Sequence, residues 1–428
     1  MGLVKSLCKG APVVWAIYFI LCVISVIEVF SASSILSYGS SNHWGPFTMH
    51  CITLVIGLVI VLVCHRVHYR NFRALGLVLL PFLGLVLMVM TLYGALVNNA
   101  ARWLNFDGLS VQPSEIAKFS VVVFVAAILV WHKENGYTDK RPFRYILVGA
   151  GIMCALIFRE NFSTAAILFA TVYCMMFIGK IPAKQMLKLT VGCLALVAVF
   201  LIMVFAVPDE RPAQGGEDKV SSILHRFPAW RDRIVDFVTP VDGDPADYLV
   251  TDDNRQTTHA NITIASSNFI GCGPGNSVQR DFLSHSHTDF IYAIIIEELG
   301  LAGGIVVFLL YFFLLINAGR IARQCDKPFP AYLVMGLAIL MTIQAVINMA
   351  VAVGLFPVTG QTLPLISKGG SSIVMCSFYF GIILSVSRSN DLRIARQREE
   401  AQAAAVSEPV AAVDGDAGAA EDGDGVAS

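Results

Sequence analysis

The sequence predicts an all-α polytopic membrane protein with ten transmembrane helices, both termini cytoplasmic and a large extracytoplasmic loop between helices 7 and 8. Three observations predict it. Of the 428 residues, 56% are hydrophobic and 14% charged, whereas soluble domains carry roughly 45–50% and about 25%. Too little polar surface is left to coat a globule of this size in water. The apolar residues fall into runs close to the ~20 residues that a spanning helix needs. Lysine and arginine gather in alternate loops between those runs, as they do on the cytoplasmic side of a membrane. A soluble enzyme, a coiled coil, a collagen and a largely disordered chain are excluded together.

The runs are 11–31, 49–65, 74–96, 113–131, 143–158, 163–178, 189–207, 289–318, 331–354 and 371–387. Lys5 and Lys9 before the first run suggest a signal peptide, but the run exceeds the 7–15 apolar residues of such a segment and reads as a helix. The fifth and sixth are short and separated only by residues 159–162. One set of loops holds Lys5 and Lys9, Arg66 to Arg73, Lys133 to Arg144, Lys180 to Lys188, Arg320 to Lys327 and Arg388 to Arg398. The short loops of the other side hold Arg102, Arg159 and Lys368. That asymmetry sets the orientation and supports the count of ten.

A membrane domain over 1–388 follows, with two soluble segments. Residues 208–288 form the long outer loop, far beyond an ordinary connection. Inside it Ile223, Phe227, Trp230, Ile234 and Phe237 recur at helical spacing among Arg226, Arg231 and Arg233. This reads as an amphipathic helix, either on the outer membrane surface or packed on the loop's own small core. Residues 389–428 begin with charged helix formers and end in Ala, Gly, Asp and Glu; the stretch is expected to be a disordered cytoplasmic tail. The net charge of −1 and the absence of a basic run give no footing for nucleic acid. The ten cysteines include no CxxC pair, and only Cys272 falls in the long loop, so neither a zinc site nor a disulfide framework is expected.

Ionisable and amide side chains at membrane depth mark functional paths by default. Here they are Glu28, Glu115 with Lys118, Glu297 with Glu298, and Gln344 with Asn348. Gln112-Pro113-Ser114-Glu115 reads as a helix start. Glu115 and Lys118 share a helix face, either as a buried pair orienting two helices or as a lysine poised for an anionic headgroup. Asp289, in His287-Thr288-Asp289-Phe290, stands at the outer start of the eighth span. It is an N-cap or, partly buried at the water boundary, a general base. His285 and His287 lack partners at ligand spacing and make a weak metal site. Gly271-Cys272-Gly273-Pro274-Gly275-Asn276-Ser277 lacks the Lys-Ser/Thr of a nucleotide loop, leaving a backbone nest for another phosphate. Residues 354–372, rich in Gly, Pro and Ser, suggest a re-entrant loop lining a cavity.

These motifs together resemble the SEDS (shape, elongation, division and sporulation) family, which includes FtsW and RodA. The resemblance rests on Gly271-x-Gly273-x-x-Asn276-Ser277-x-Gln279, His287-Thr288-Asp289-Phe290-Ile291 and Glu297-Glu298-x-Gly300. It also rests on Arg102-Trp103, Gln112-Pro113-Ser114-Glu115-x-x-Lys118, Pro357-x-Thr359-Gly360 and Leu363-Pro364-x-x-Ser367-x-Gly369-Gly370-Ser371-Ser372. The form of residues 279–298 is more similar to FtsW members than to RodA members. The chain departs from the family at Glu160-Asn161-Phe162-Ser163-Thr164, where Pro-Asp-x-Gly-Thr is usual, and at Lys368, where a neutral, often aromatic residue is usual.

The resemblance implies a peptidoglycan glycosyltransferase of the bacterial inner membrane. It would polymerise lipid II on the outer face, at the division septum, with a cognate class B penicillin-binding transpeptidase and other division-complex membrane proteins. Asp289 would act on the acceptor hydroxyl. Lys118, held by Glu115, with Arg102 or Arg233, would stabilise the undecaprenyl pyrophosphate side. Ser277, Gln279, Ser367 and Ser371 would join the substrate site. A divalent cation, Mg or Mn, would suit the chemistry, although no protein cage for it is visible. The rival readings are a lipid II flippase, a RodA-like elongation polymerase and a non-catalytic scaffold.

Overall fold

A computed structural model describes residues 10–32, 44–96, 104–106, 109–137, 140–206, 255–278 and 289–407. The described helices are α1 (Pro12–Ala32), α2 (Gly45–Cys64), α3 (Tyr69–Leu96), α4 (Pro113–Glu134), α5 (Arg141–Glu160), α6 (Phe162–Ile178), α7 (Ala183–Ala206), α8 (Arg255–Ala265), α9 (Ile291–Arg323), α10 (Pro328–Ala352) and α11 (Gly370–Ser407). Among the described residues nine helices are long and apolar enough to cross a membrane, and α6, with 17 residues, is a shorter apolar helix. The outward faces stay apolar, as lipid contact requires: Val78, Phe177 and Leu196 are each 70% exposed or more. Polar groups turn inward.

Three features differ from the sequence reading. A short antiparallel ribbon, β1 (Leu104–Phe106) with β2 (Leu109–Val111), precedes α4 in an otherwise all-helical architecture. The break between α5 and α6 is a single residue. The Asn161 side chain accepts hydrogen bonds from the backbone N–H groups of Ser163 (3.1 Å) and Thr164 (3.3 Å), an N-cap that lets one helix follow another directly. The disordered tail expected over 389–428 is corrected for its first part, because α11 runs unbroken to Ser407. Its charged helix formers propagate the helix, and tertiary bonds tether it. Asn390 donates to the Ile321 carbonyl (3.1 Å), and Arg393 reaches both the Gln324 carbonyl and Asp326 on the turn after α9. Residues 408–428 and the amphipathic segment 223–237 lie outside the described residues.

At the centre α10 packs against α4, α6, α9 and α11, and α11 packs along α2. Helix α9 is kinked at Gly300, which takes φ +73° and ψ 178°. The kink frees carbonyls before it and amides after it, and the segment 268–273 takes up both. Cys272 N–H donates to the Glu297 carbonyl (3.0 Å) and Gly273 N–H to that of Glu298 (2.9 Å); Leu301 and Ala302 N–H donate to the carbonyls of Asn268 and Phe269 (3.2 Å each). The glycine loop is therefore no phosphate nest. Its Cys272 and Gly273 amides serve the broken helix.

A side chain at Gly300 would fall on the Phe269 carbonyl, in a backbone region open essentially to glycine. Gly300→Ala should lower stability by at least about 2 kcal/mol, read as the unfolding midpoint of the detergent-solubilised protein. An unchanged midpoint would show that this contact can yield.

Candidate functional site

The final outer loop, residues 353–369, is drawn into the bundle, and most of 361–367 is buried. Its carbonyls are claimed by amide side chains of α10. Gln344 donates to the Thr362 carbonyl (3.0 Å), and Asn348, one turn further along, to that of Gln361 (2.6 Å). The Leu363 N–H donates to the Ser367 hydroxyl (2.7 Å), and the buried Tyr311 hydroxyl donates to the Pro364 carbonyl. Leu365 is thereby held at a left-handed φ of +65°, a strained conformation for leucine.

Helix starts meet this loop from several sides. The first turn of α6 supplies Ser163, whose hydroxyl donates to the Thr359 carbonyl (3.1 Å), and Thr164, whose hydroxyl accepts from the Gln361 amide (3.1 Å). The first turn of α11 supplies Ser372, hydrogen-bonded to the Thr362 hydroxyl (3.1 Å). Asp289 arrives just ahead of α9. Asn348 donates to its backbone carbonyl (2.9 Å), and its carboxylate lies against Gly360. The helix begins at Ile291 with Phe290 in the cap position, so Asp289 stands one residue outside the cap, half-buried. The plain N-cap reading does not fit that register.

Glu115 and Lys118, in the first turns of α4, form a buried ion pair at 2.8 Å, and the Lys118 ammonium also donates to Gln344 (2.9 Å). Lys118 has 0% of its surface exposed and Glu115 6%. The lysine read as poised for an anionic headgroup has the Glu115 carboxylate and the amide oxygen of Gln344 as its partners among the described residues. Its bond to Gln344 braces the amide that holds Thr362. Lys118 and Asp289 are thus tied to the same helix, through residues one turn apart. The Tyr379 hydroxyl completes the brace by donating to the Glu115 carbonyl (3.0 Å).

The starts of α4, α6, α9 and α11 therefore surround one loop among the described residues. Each carries the positive end of a helix dipole, worth about 0.3–1 kcal/mol toward a nearby anion and up to ~2 when partly buried. An anionic headgroup is the ligand this arrangement favours. Asp289 is the carboxylate beside the loop.

Other expected residues fall elsewhere. The Ser277 hydroxyl donates to the Glu297 carboxylate, which also accepts from Val278 N–H (3.1 Å). Ser367 is an internal staple of the loop, and Ser371 is half-buried in the first turn of α11. Arg102, Arg233, Gln279, His285 and His287 lie outside the described residues. Among the described residues no three His, Cys, Asp or Glu side chains gather to hold a metal. Ser31 of α1 donates to Glu298, and Glu28 nearby is fully buried with no hydrogen-bond partner for its carboxyl among the described residues. Sequence reasoning noted Gln344 and Asn348 but not their carbonyl partners 13 to 18 residues ahead, and it missed Gln361 and Thr362 altogether.

The family model described as "Cell cycle protein" (FTSW_RODA_SPOVE) matches residues 12–392. Curated relatives include proteins named "Probable peptidoglycan glycosyltransferase FtsW". That of Pseudomonas fluorescens is 30% identical over 85% of this chain and 84% of its own. That of Trichlorobacter lovleyi is 32% identical over 85% and 89%. Among solved structures, a chain from a study of a peptidoglycan synthase complex aligns with TM-score 0.65 at 21% identity, covering 88% of this chain and 98% of that one. The rod shape determining protein RodA of Thermus thermophilus aligns with TM-score 0.60 at 20% identity, covering 89% and 97%. At those identities the likeness concerns the fold.

Proposed function

The chain belongs to the FtsW, RodA and SpoVE family of cell cycle proteins, and from that premise we propose that it is a peptidoglycan glycosyltransferase of the FtsW kind in the bacterial cytoplasmic membrane. The observation that carries the reading is the alignment, through nearly the whole membrane region, with relatives that bear that enzyme's name. The apolar helices place the chain in a bilayer. Helix α6 serves as the tenth span, and both termini face the cytoplasm under the charge asymmetry of the loops. The sugar substrates then meet Asp289 and the loop 359–367 on the outer face.

The reaction joins two lipid-linked sugars. The acceptor is the 4-hydroxyl of lipid II, and the donor is the growing glycan on undecaprenyl pyrophosphate. The acceptor oxygen forms a bond to the donor's anomeric carbon as the bond from that carbon to the pyrophosphate oxygen breaks, with inversion. Asp289 takes the hydroxyl proton. The converging helix starts stabilise the negative charge that develops on the leaving pyrophosphate. Asn348 fixes the Asp289 backbone, and Lys118 acts as a positioning residue through Gln344. The work belongs to septal wall synthesis, with a class B penicillin-binding transpeptidase as partner. Support for a partner is the structural neighbour whose description couples polymerization with crosslinking.

Buried Glu28 beside Glu298 is the feature a lipid II flippase would use, and it makes that the second reading. Purified protein with its transpeptidase and labelled lipid II in vesicles separates the two. Glycan polymer is the expected product. Lipid translocated without polymer would replace the enzyme reading by the flippase, and neither product would leave a scaffold.

A further inference from the structure

Lys368 is the one charged residue of the final outer loop, and the scheme above gives it no task. It is half-buried, and burial alone pushes its ammonium below the usual lysine range. No carboxylate pairs with it among the described residues. A desolvated cation without a counter-charge is costly and gains most from a bound anion.

Its place joins it to the reaction site. The next residue, Gly369, abuts Thr362, the residue whose carbonyl Gln344 holds and whose hydroxyl bonds Ser372. Two residues before Thr362, Gly360 lies against the Asp289 carboxylate. Lys368 is thus only a few residues across the folded loop from Asp289, immediately ahead of the N-terminus of α11. On its other side Ile366 is anchored by Ser25, whose hydroxyl donates to the Ile366 carbonyl and bonds His50 (2.8 Å each). The His50 ring is buried on that side, bonded to Ser25. The corner offers the Lys368 cation and, among the described residues, no carboxylate to oppose it.

We propose that Lys368 binds the pyrophosphate of the lipid-linked substrate, a direct side-chain contact at the loop that the helix starts surround. The inference rests on the glycosyltransferase reading for the identity of the anion. A phosphate ester of a membrane phospholipid offers the same chemistry, so the test has an arm for each source.

Wild type, Lys368→Met and Lys368→Arg are compared in nanodiscs with their transpeptidase partner, with and without anionic phospholipid. Binding of undecaprenyl pyrophosphate is measured directly, alongside polymerisation kinetics. A charge-assisted hydrogen bond is worth about 1.5–3 kcal/mol, so Lys368→Met should weaken binding and raise KM by roughly 10- to 100-fold, with a smaller fall in kcat. Lys368→Arg should recover most of the loss, and the defect should be the same in neutral and anionic nanodiscs. Unchanged binding and KM in Lys368→Met would overturn the assignment. So would a fall in kcat alone, which marks a structural role, or a defect that appears only with anionic phospholipid. Lys368-dependent binding by a wild-type protein that makes no polymer would uphold this contact while refuting the enzyme reading.

Discussion

Asp289→Asn should cut glycan polymerisation by about 10²- to 10⁴-fold, the range that general-base assistance spans, while leaving the protein folded in the membrane. The amide keeps the size of the carboxylate and removes only its capacity to accept the acceptor's proton. The fold is expected to tolerate it, because the change is isosteric and leaves the backbone carbonyl held by Asn348 untouched. Asp289→Glu keeps the base but displaces it by a methylene, and misplacement of ~1 Å alone can cost about 10²-fold. The check is polymer formed from labelled lipid II by purified protein, beside the unfolding midpoint of each variant. Polymerisation by Asp289→Asn close to that of the parent would remove this carboxylate from the mechanism.

Lys118→Met should be the most destabilising of the site substitutions. Removing the ammonium leaves Glu115 buried without its cation and the Gln344 oxygen without its donor. Breaking a buried pair in this way costs about 3–5 kcal/mol, a large part of the 5–15 kcal/mol that holds a typical protein folded. The double variant Glu115→Gln/Lys118→Met carries no stranded charge and should recover much of the loss in unfolding midpoint. Its kinetics then discriminate roles. A lysine that works through Gln344 predicts a lowered kcat with KM near the parent's, because a slackened Thr362 misplaces the loop beside Asp289. A single variant as stable as the parent, or a double variant with a raised KM and unaltered kcat, would contradict that role.

Local pattern alone revealed much of the frame. Apolar runs place the long helices, and Glu115 and Lys118 meet as spacing on one helix face requires. Asp289 at the mouth of α9 was legible as a residue of interest, since few carboxylates border the apolar runs. What local pattern could not show is which distant groups close the site. Lys118 finds Gln344 across 226 residues, and Gln361 finds Thr164 across 197; such pairs depend on how helices pack, and no periodicity records them. Ser277 belonged by motif to the substrate residues yet bonds Glu297, because the kink at Gly300 draws the glycine loop against α9. Asn161, a departure from the family pattern, caps α6 where an acid would cap equally well. The helical length of residues 389–407 was hidden by a composition that reads as solvated, whereas Asn390 and Arg393 fasten its root to the end of α9.

One element spans the whole height of the molecule. The 38 residues of α11 at 1.5 Å each make a rod about 57 Å long, unbroken from the loop that borders Asp289 to a point beyond the opposite face. A stiff rod passes on tilt and torque rather than absorbing them. A partner gripping the far end of α11 would move Ser372, and with it the loop around the sugar site, as the short arm of a lever. Events at one end of α11 would thereby be coupled mechanically to the loop at the other, with no messenger crossing the bilayer.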